Sequence, residues 1–342
     1  MNLGGTTELP SQGDGGFLFA ENRGREHDLY RRNESMPIKV NDQLSAVDNL
    51  RQEGIVTITE QRAHTQDIRP LRILILNLMP LKKPTELMLL RLLGNSPIQI
   101  EVDFCRTITH EATHTDNSYL DSAYLEFQDI KDRYYDGFLV TGAPVECYDF
   151  EDVDYWQEFT EYMEWAKRHV FSVLYYCWGA QAGLYYHYGI QKHLLPKKLS
   201  GIYQYDLTMK YHPLLRGFDD RYFIPQSRHT DIDHAAVESH PALTVLSRSS
   251  YHGVNIVTAE DIRRVFVLGH FEYNRRTLEE EFVRDRDKGL HPAIPKYYYP
   301  ENDPSEPPVF KWCSYAHLFY SNWINLVYQN TPYDLHDLQP LP

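Results

Sequence analysis

The chain has 342 residues, with 34 Lys and Arg against 48 Asp and Glu, a formal net charge of −14. That balance argues against a nucleic-acid protein but leaves room for an anionic ligand held by a few local cations. No apolar run suits a membrane span, no secretory leader opens the sequence, and the four scattered cysteines make no disulfide framework, so a soluble cytoplasmic α/β protein is expected.

Residues 1–35 are rich in Gly, Ser, Asn, Glu and Arg and carry no helical or strand period. They read as a disordered tail or as a stretch ahead of the true start. Arg31-Arg32, if encoded AGG-AGG, would form a ribosome-binding site, with Met36 as the start codon. Residues 36–342 then form the catalytic domain, which intact-mass analysis of the native gene product would check.

From Arg69 the pattern becomes βαβ. Ile73 to Leu76 is a continuous apolar run, as in a strand buried on both faces. Pro84-Thr85-Glu86 opens a helix that runs from Leu87 to Leu93 and stops at Gly94-Asn95. Ile98, Ile100, Val102 and Phe104 alternate as a second strand, and Gly137 to Thr141 reads as a third. Trp156, Phe159, Met163 and Ala166 recur at helical spacing in an acidic segment, a surface helix with one apolar face. Val170 to Tyr176 is a fourth strand, Ala180 to Tyr186 a helix, and Arg264 to Gly269 a further strand. The proline-rich stretch 287–310 has no period and reads as a long surface loop. Strands alternating with helices imply a mostly parallel sheet covered on both faces, with ligands at the carboxyl ends of its strands.

Cys177 ends the fourth strand and is followed by Trp178-Gly179-Ala180-Gln181-Ala182-Gly183. A nucleophile at a sharp strand-to-helix turn stands above the sheet, and the helix N-terminus favours a thiolate and offers N–H groups to an oxyanion. Free cysteines are also commonly just buried, so position alone leaves even odds. His270 and Glu272 tip the balance. They follow the strand Arg264 to Gly269, where a histidine with a carboxylate two residues on can act as base and orienter. The loop Thr141 to Glu146 follows the third strand, where Gly142 suggests close backbone approach. It sits where a second oxyanion donor or an acyl contact is needed, although an ordinary turn would read the same.

His110-Glu111-Ala112-Thr113-His114 matches the H-E-x-x-H zinc pattern, but its flanks are polar and loop-like. A zinc hydrolase is therefore not expected, and no metal site is assigned. Lys197-Lys198, Ser227-Arg228-His229 and Arg284 are basic positions from which one arginine could pair with a substrate carboxylate. The residues themselves do not choose among them.

The motifs together resemble the homoserine O-acyltransferase family of methionine biosynthesis, of the type with a class I glutamine-amidotransferase-like fold. Carrying the resemblance are Ile-Leu-Asn-Leu-Met-Pro (75–80), Asn-Ser-Pro (95–97), Thr-Gly-Ala-Pro (141–144) and Cys-Trp-Gly-Ala-Gln-Ala (177–182). Lys-Leu-Ser-Gly (198–201), Gly-Phe-Asp-Asp (217–220), Gly-His-Phe-Glu-Tyr (269–273) and Asn-Asp-Pro (302–304) add to it. It runs from Met36 to about Leu335.

The resemblance implies ping-pong acyl transfer from an acyl-CoA co-substrate to the hydroxyl of L-homoserine, with no other cofactor. Cys177 is then the nucleophile, His270 the base and Glu272 its orienter. The Trp178 N–H and one from Val145 form the oxyanion hole. Lys198, Ser227 and Arg284 contact substrate, Arg284 matching the homoserine carboxylate. Glu146, with Ser227, bears on the acyl donor: in this family glycine at the first position goes with succinyl-CoA and glutamate with acetyl-CoA. A glutamate also fills space and repels a succinyl carboxylate, so acetyl-CoA is the expected donor and succinyl-CoA the alternative. Tyr175 and Phe271 depart from the Gly-x-Cys-x-Gly and His-Pro-Glu of amidotransferases, which argues against glutamine hydrolysis. A hydrolase with water as acceptor is the remote alternative. A homodimer is implied, with no nucleic-acid or membrane partner.

Overall fold

The computed structural model describes residues 69–109, 116–259 and 261–341, together with a two-residue parallel pairing of Ile38–Lys39 with Thr57–Ile58. The tail 1–35, the start expected at Met36 and the segment His110–His114 lie outside the described residues.

The apolar run at 73–76 forms β1 (Leu71–Leu76), buried on both faces except at Arg72. It leads into α1 (Lys82–Leu93), two turns' worth of whose residues face the core. This helix starts earlier than Pro84 predicts, because a proline in the first turn lacks only an N–H that has no intrahelical acceptor anyway. Next come β2 (Ile100–Cys105), α2 (Asn117–Ala123), α3 (Phe127–Ile130) and the fully buried β3 (Tyr135–Val140). The acidic surface helix is α4 (Trp156–His169), with Phe159, Met163 and Ala166 buried as their spacing requires. It is followed by β4 (Val170–Tyr176) and α5 (Trp178–Tyr188).

The second half departs from strand–helix alternation. It contains β5 (Lys192–Leu207), β6 (Arg221–Ile232), α6 (His234–Ser239), β7 (Leu243–Ser249), β8 (Gly253–Ala259) and β9 (Arg264–Val267). The chain then forms α7 (Thr277–Asp287) and α8 (Cys313–Asn330). All nine strands join one sheet in the order β2-β1-β3-β4-β9-β8-β7-β5-β6. From β2 to β9 the neighbours are parallel, as the sequence pattern predicts. From β9 to β6 they are antiparallel, which the pattern does not show. β9 is the seam, parallel to β4 on one side and antiparallel to β8 on the other.

Each face of the sheet has its own core. One is filled from α4 and α5 by Phe159, Tyr162, Met163 and Leu184. The other is filled from α1 and α8 by Leu89, Leu93, Phe319 and Trp323. Gly137 shows how closely α8 is seated: a Cβ there would lie 2.8 Å from the Trp323 ring, whose Nε1 donates to Ser172 Oγ at 3.0 Å. The proline-rich stretch is a loop as expected, but it is not wholly on the surface. Tyr298 and Tyr299 bury with Trp312, Tyr273 and Leu278 in a third, smaller cluster. Among the described residues no helix is long and apolar enough to cross a membrane.

Candidate active site

Cys177 sits between β4 and α5 with φ 47° and ψ −114°, a strained conformation for a residue with a side chain. Its N–H donates to the Val267 carbonyl of β9 at 2.8 Å, so the elbow is tied directly to the neighbouring strand. The strain persists because small residues let the flanking segments close in. A Cβ on Gly179 would lie 2.6 Å from the Thr141 carbonyl oxygen, and one on Gly183 2.9 Å from the Phe266 ring. Gly142 does bring its loop against the elbow, since a Cβ there would stand 3.2 Å from Cys177 Cβ and 3.7 Å from Sγ. The Trp178 N–H opens α5 and so has no intrahelical acceptor, while the Trp178 ring is buried against Phe150, Tyr155 and Phe159. Val145 and Glu146 lie in the following turn. The turn is closed by Tyr148 N–H to the Val145 carbonyl at 3.1 Å and braced by Lys192 Nζ on the Glu146 carbonyl at 2.8 Å.

The turn after β9 supplies the second half of the site. His270 N–H donates to the Pro225 carbonyl at 2.9 Å, anchoring that turn to β6. Phe271 points away into the core, stacked on Phe319 of α8, which leaves His270 and Glu272 on the opposite side. His270 Nδ1 and Glu272 Oε1 are 2.6 Å apart, and both side chains are almost fully buried. His270 Nε2 is buried without a hydrogen-bond partner, the nitrogen that remains free to handle a proton. Burial disfavours charge on this ring, but the Cys177 thiol and Glu272 carboxylate outweigh it and raise the imidazole well above its ordinary value. The surroundings thus favour the charged form of the His270 ring, held in place by Glu272.

A polar network continues outward from the histidine. The Tyr273 ring stacks on His270 at 4.1 Å, and its hydroxyl donates to Glu281 Oε1 at 2.7 Å. The other Glu281 oxygen accepts from Ser227 Oγ and from Lys198 Nζ, the latter at 3.1 Å. Burial alone would raise the Glu281 carboxyl, but Lys198, Ser227 and Tyr273 hold it below the usual range. Lys198 also reaches Asp285 at 3.5 Å. Arg284 is half exposed and closes on Asp285, its Nη2 2.7 Å from Oδ1.

Cys177, His270, Glu272, Trp178 and the Gly142 loop therefore meet at one end of the sheet. Lys198, Ser227 and Arg284 share a second cluster linked to it through Glu281 and Tyr273. Sequence reasoning missed Glu281. It is one of three consecutive glutamates, 279–281, and only its spacing of three and four from Arg284 and Asp285 places it on their helix face.

Comparison with known proteins bears on family and fold. The sequence profile of a family described as homoserine O-succinyltransferase matches residues 37–333. A homoserine O-acetyltransferase of Agathobacter rectalis is 50% identical over 300 residues, covering 87% of this chain and 97% of that protein. The Brevibacillus brevis homoserine O-acetyltransferase is 50% identical, covering 88% and 99%. That of Geobacillus kaustophilus is 51% identical, covering 87% and 99%. Among solved structures, a glutamine amidotransferase from Thermotoga maritima matches with a TM-score of 0.50 at 14% identity, covering 76% of this chain and 99% of the other. That likeness shows the class I amidotransferase-like fold.

Proposed function

Since the chain belongs to the homoserine O-succinyltransferase family and is an acyltransferase, we propose that it transfers an acetyl group from acetyl-CoA to the side-chain hydroxyl of L-homoserine. The strained Cys177 elbow facing a buried His270–Glu272 pair is the observation that carries this reading.

The Cys177 thiolate attacks the thioester carbonyl carbon, forming a new C–S bond. The oxyanion that develops is met by the N–H of Trp178 and that of Val145. The intermediate collapses, the bond to CoA breaks, and the His270 imidazolium protonates the departing thiolate. The neutral imidazole then takes the homoserine hydroxyl proton through Nε2 as that oxygen attacks the acyl-enzyme. Collapse releases the Cys177 thiolate and O-acetyl-L-homoserine and restores the thiolate–imidazolium pair. A thiol suits both halves because it attacks well and leaves well near neutral pH. Arg284 exchanges Asp285 for the homoserine carboxylate, while Lys198 and Ser227 position the substrate.

Glu146 favours the smaller donor, because its carboxylate would face the terminal carboxylate of a succinyl group. The names of the relatives support acetyl, whereas the family's description names succinyl. The test is CoA release with L-homoserine present, comparing the two donors. The expected result is a strong preference for acetyl-CoA that weakens in Glu146→Gly. A succinyl preference would overturn the donor assignment, and unchanged transfer by Cys177→Ala would overturn the mechanism. The product is an activated intermediate on the route to methionine.

A further inference from the structure

A cavity of about 830 Å³ opens beyond the Lys198–Glu281 network, between β5, α7 and the loop that follows α7. That is the size of a pocket for a nucleotide-sized ligand, far more than homoserine needs. Its lining carries no surplus negative charge: each acidic side chain is already matched. Glu281 is held by Lys198, Asp285 by Lys198 and Arg284, and Asp231 by Arg228 at 2.9 Å and His234 at 3.2 Å. Lys197 and Lys296, by contrast, line the cavity, are exposed, and have no ion-pair partner among the described residues.

The position of Lys296 is built into the fold. Its N–H donates to the Ser200 carbonyl at 3.0 Å, and its carbonyl accepts from Ile202 N–H at 2.8 Å. This short parallel pairing requires Gly201, with φ 145°, since a Cβ there would lie 2.3 Å from the Lys296 oxygen. Tyr251, also in the lining, leaves most of its ring uncovered, at 89% exposure. Two unpaired ammonium groups near a bare aromatic face are the elements that recognise a phosphorylated purine nucleotide.

We propose that this cavity binds the phosphorylated adenosine end of the acyl-CoA donor. Lys197 and Lys296 take its phosphates and Tyr251 supplies the stacking face. The inference rests on the acyl-CoA reading above and adds where the donor's nucleotide docks. It also accounts for how a chain of net charge −14 attracts a polyanion, through a local patch of unmatched cations. The pantetheine arm would then pass the Lys198–Glu281 network to reach Cys177.

The experiment compares acetyl-CoA with S-acetyl-N-acetylcysteamine, which lacks the nucleotide, and measures binding of 3′,5′-ADP by calorimetry. In Lys197→Ala and Lys296→Ala the ratio of kcat/KM for the two donors should fall about tenfold each, because a charged hydrogen bond is lost. Binding of 3′,5′-ADP should weaken to the same degree, and Lys296→Arg should restore both. Wild-type ratios and wild-type 3′,5′-ADP affinity in both alanine variants would overturn the site while leaving acyl transfer intact. Absence of transfer from either donor in the unaltered protein would overturn the acyltransfer reading, and 3′,5′-ADP binding would still decide the cavity.

Discussion

Replacing Gly179 with Ala tests the idea that the elbow is held by close approach of α5 to the end of β3. The added methyl would stand 2.6 Å from the Thr141 carbonyl oxygen, 3.0 Å from Val140 Cγ1 and 3.3 Å from the Val140 oxygen. Thr141 cannot give way cheaply. Its N–H donates to Leu76 at 3.1 Å and its Oγ1 accepts from Leu78 N–H at 2.8 Å, so it is fixed to β1. The helix must withdraw instead. Overpacking of this kind costs roughly 1–3 kcal/mol, and the better helix propensity of alanine returns at most about 1 kcal/mol. The net expectation is destabilisation of roughly 1–2 kcal/mol, read from urea unfolding monitored by tryptophan fluorescence. Withdrawal also moves the Trp178 N–H and the strained Cys177 together. A misplacement approaching 1 Å can cost about a hundredfold in rate, so kcat/KM should fall at least about tenfold. A Gly179→Ala protein with wild-type stability and wild-type alkylation of Cys177 by iodoacetamide would refute the reasoning.

Other consequences are open to direct measurement. The His270 imidazole, raised against the opposing effect of burial by Cys177 and Glu272, should titrate above the ordinary histidine range in NMR. Glu272→Gln should lower that midpoint, and an unchanged midpoint would contradict the charge assignment. The sign for stability follows: this pair stabilises the fold fully below the unfolded histidine value, and the contribution is lost as pH rises through the raised folded value. Glu272→Gln should therefore flatten the alkaline decline in stability seen by pH-dependent urea unfolding. Incubation with acetyl-CoA alone should add one acetyl group to Cys177 by intact mass, absent in Cys177→Ala. Arg69→Met should destabilise the protein by roughly 3 kcal/mol. It would strip the fully buried Asp136 of its two-pronged partner, at 2.8 and 2.7 Å, leaving the Arg72 N–H alone.

The parallel half was legible because β1, β3, β4 and β9 are buried on both faces and written in nearly continuous apolar residues, as in Ile73 to Leu76, while β2 at the margin alternates. The antiparallel half hides behind polar residues that the fold buries. Gln226 bonds Tyr205 and Asn255, Tyr222 bonds Ser247, and Arg228 pairs with Asp231. The Gln226 and Tyr222 bonds join strands far apart in sequence, so no local period reports them. In the site, Cys177, His270 and Glu272 could be read because each stands next to a recognisable strand end. Glu281 could not, because its importance comes from β5, β6 and the His270 turn converging on one turn of α7.

The seam at β9 divides labour within a single sheet. Cys177 and His270 follow the ends of adjacent strands whose separation is fixed by the Cys177 N–H to Val267 bond, a backbone ruler that no side chain can reset. Lys198 and Ser227 ride instead on β5 and β6, at the far margin of the antiparallel half, where β6 has no outer neighbour among the described residues. Substitutions at that margin can therefore alter side chains at the Lys198–Ser227 cluster without moving the backbone that spaces Cys177 from His270. Exchanging residues 192–232 between two such proteins should accordingly change KM while leaving alkylation of Cys177, and the donor choice assigned to Glu146, as they were.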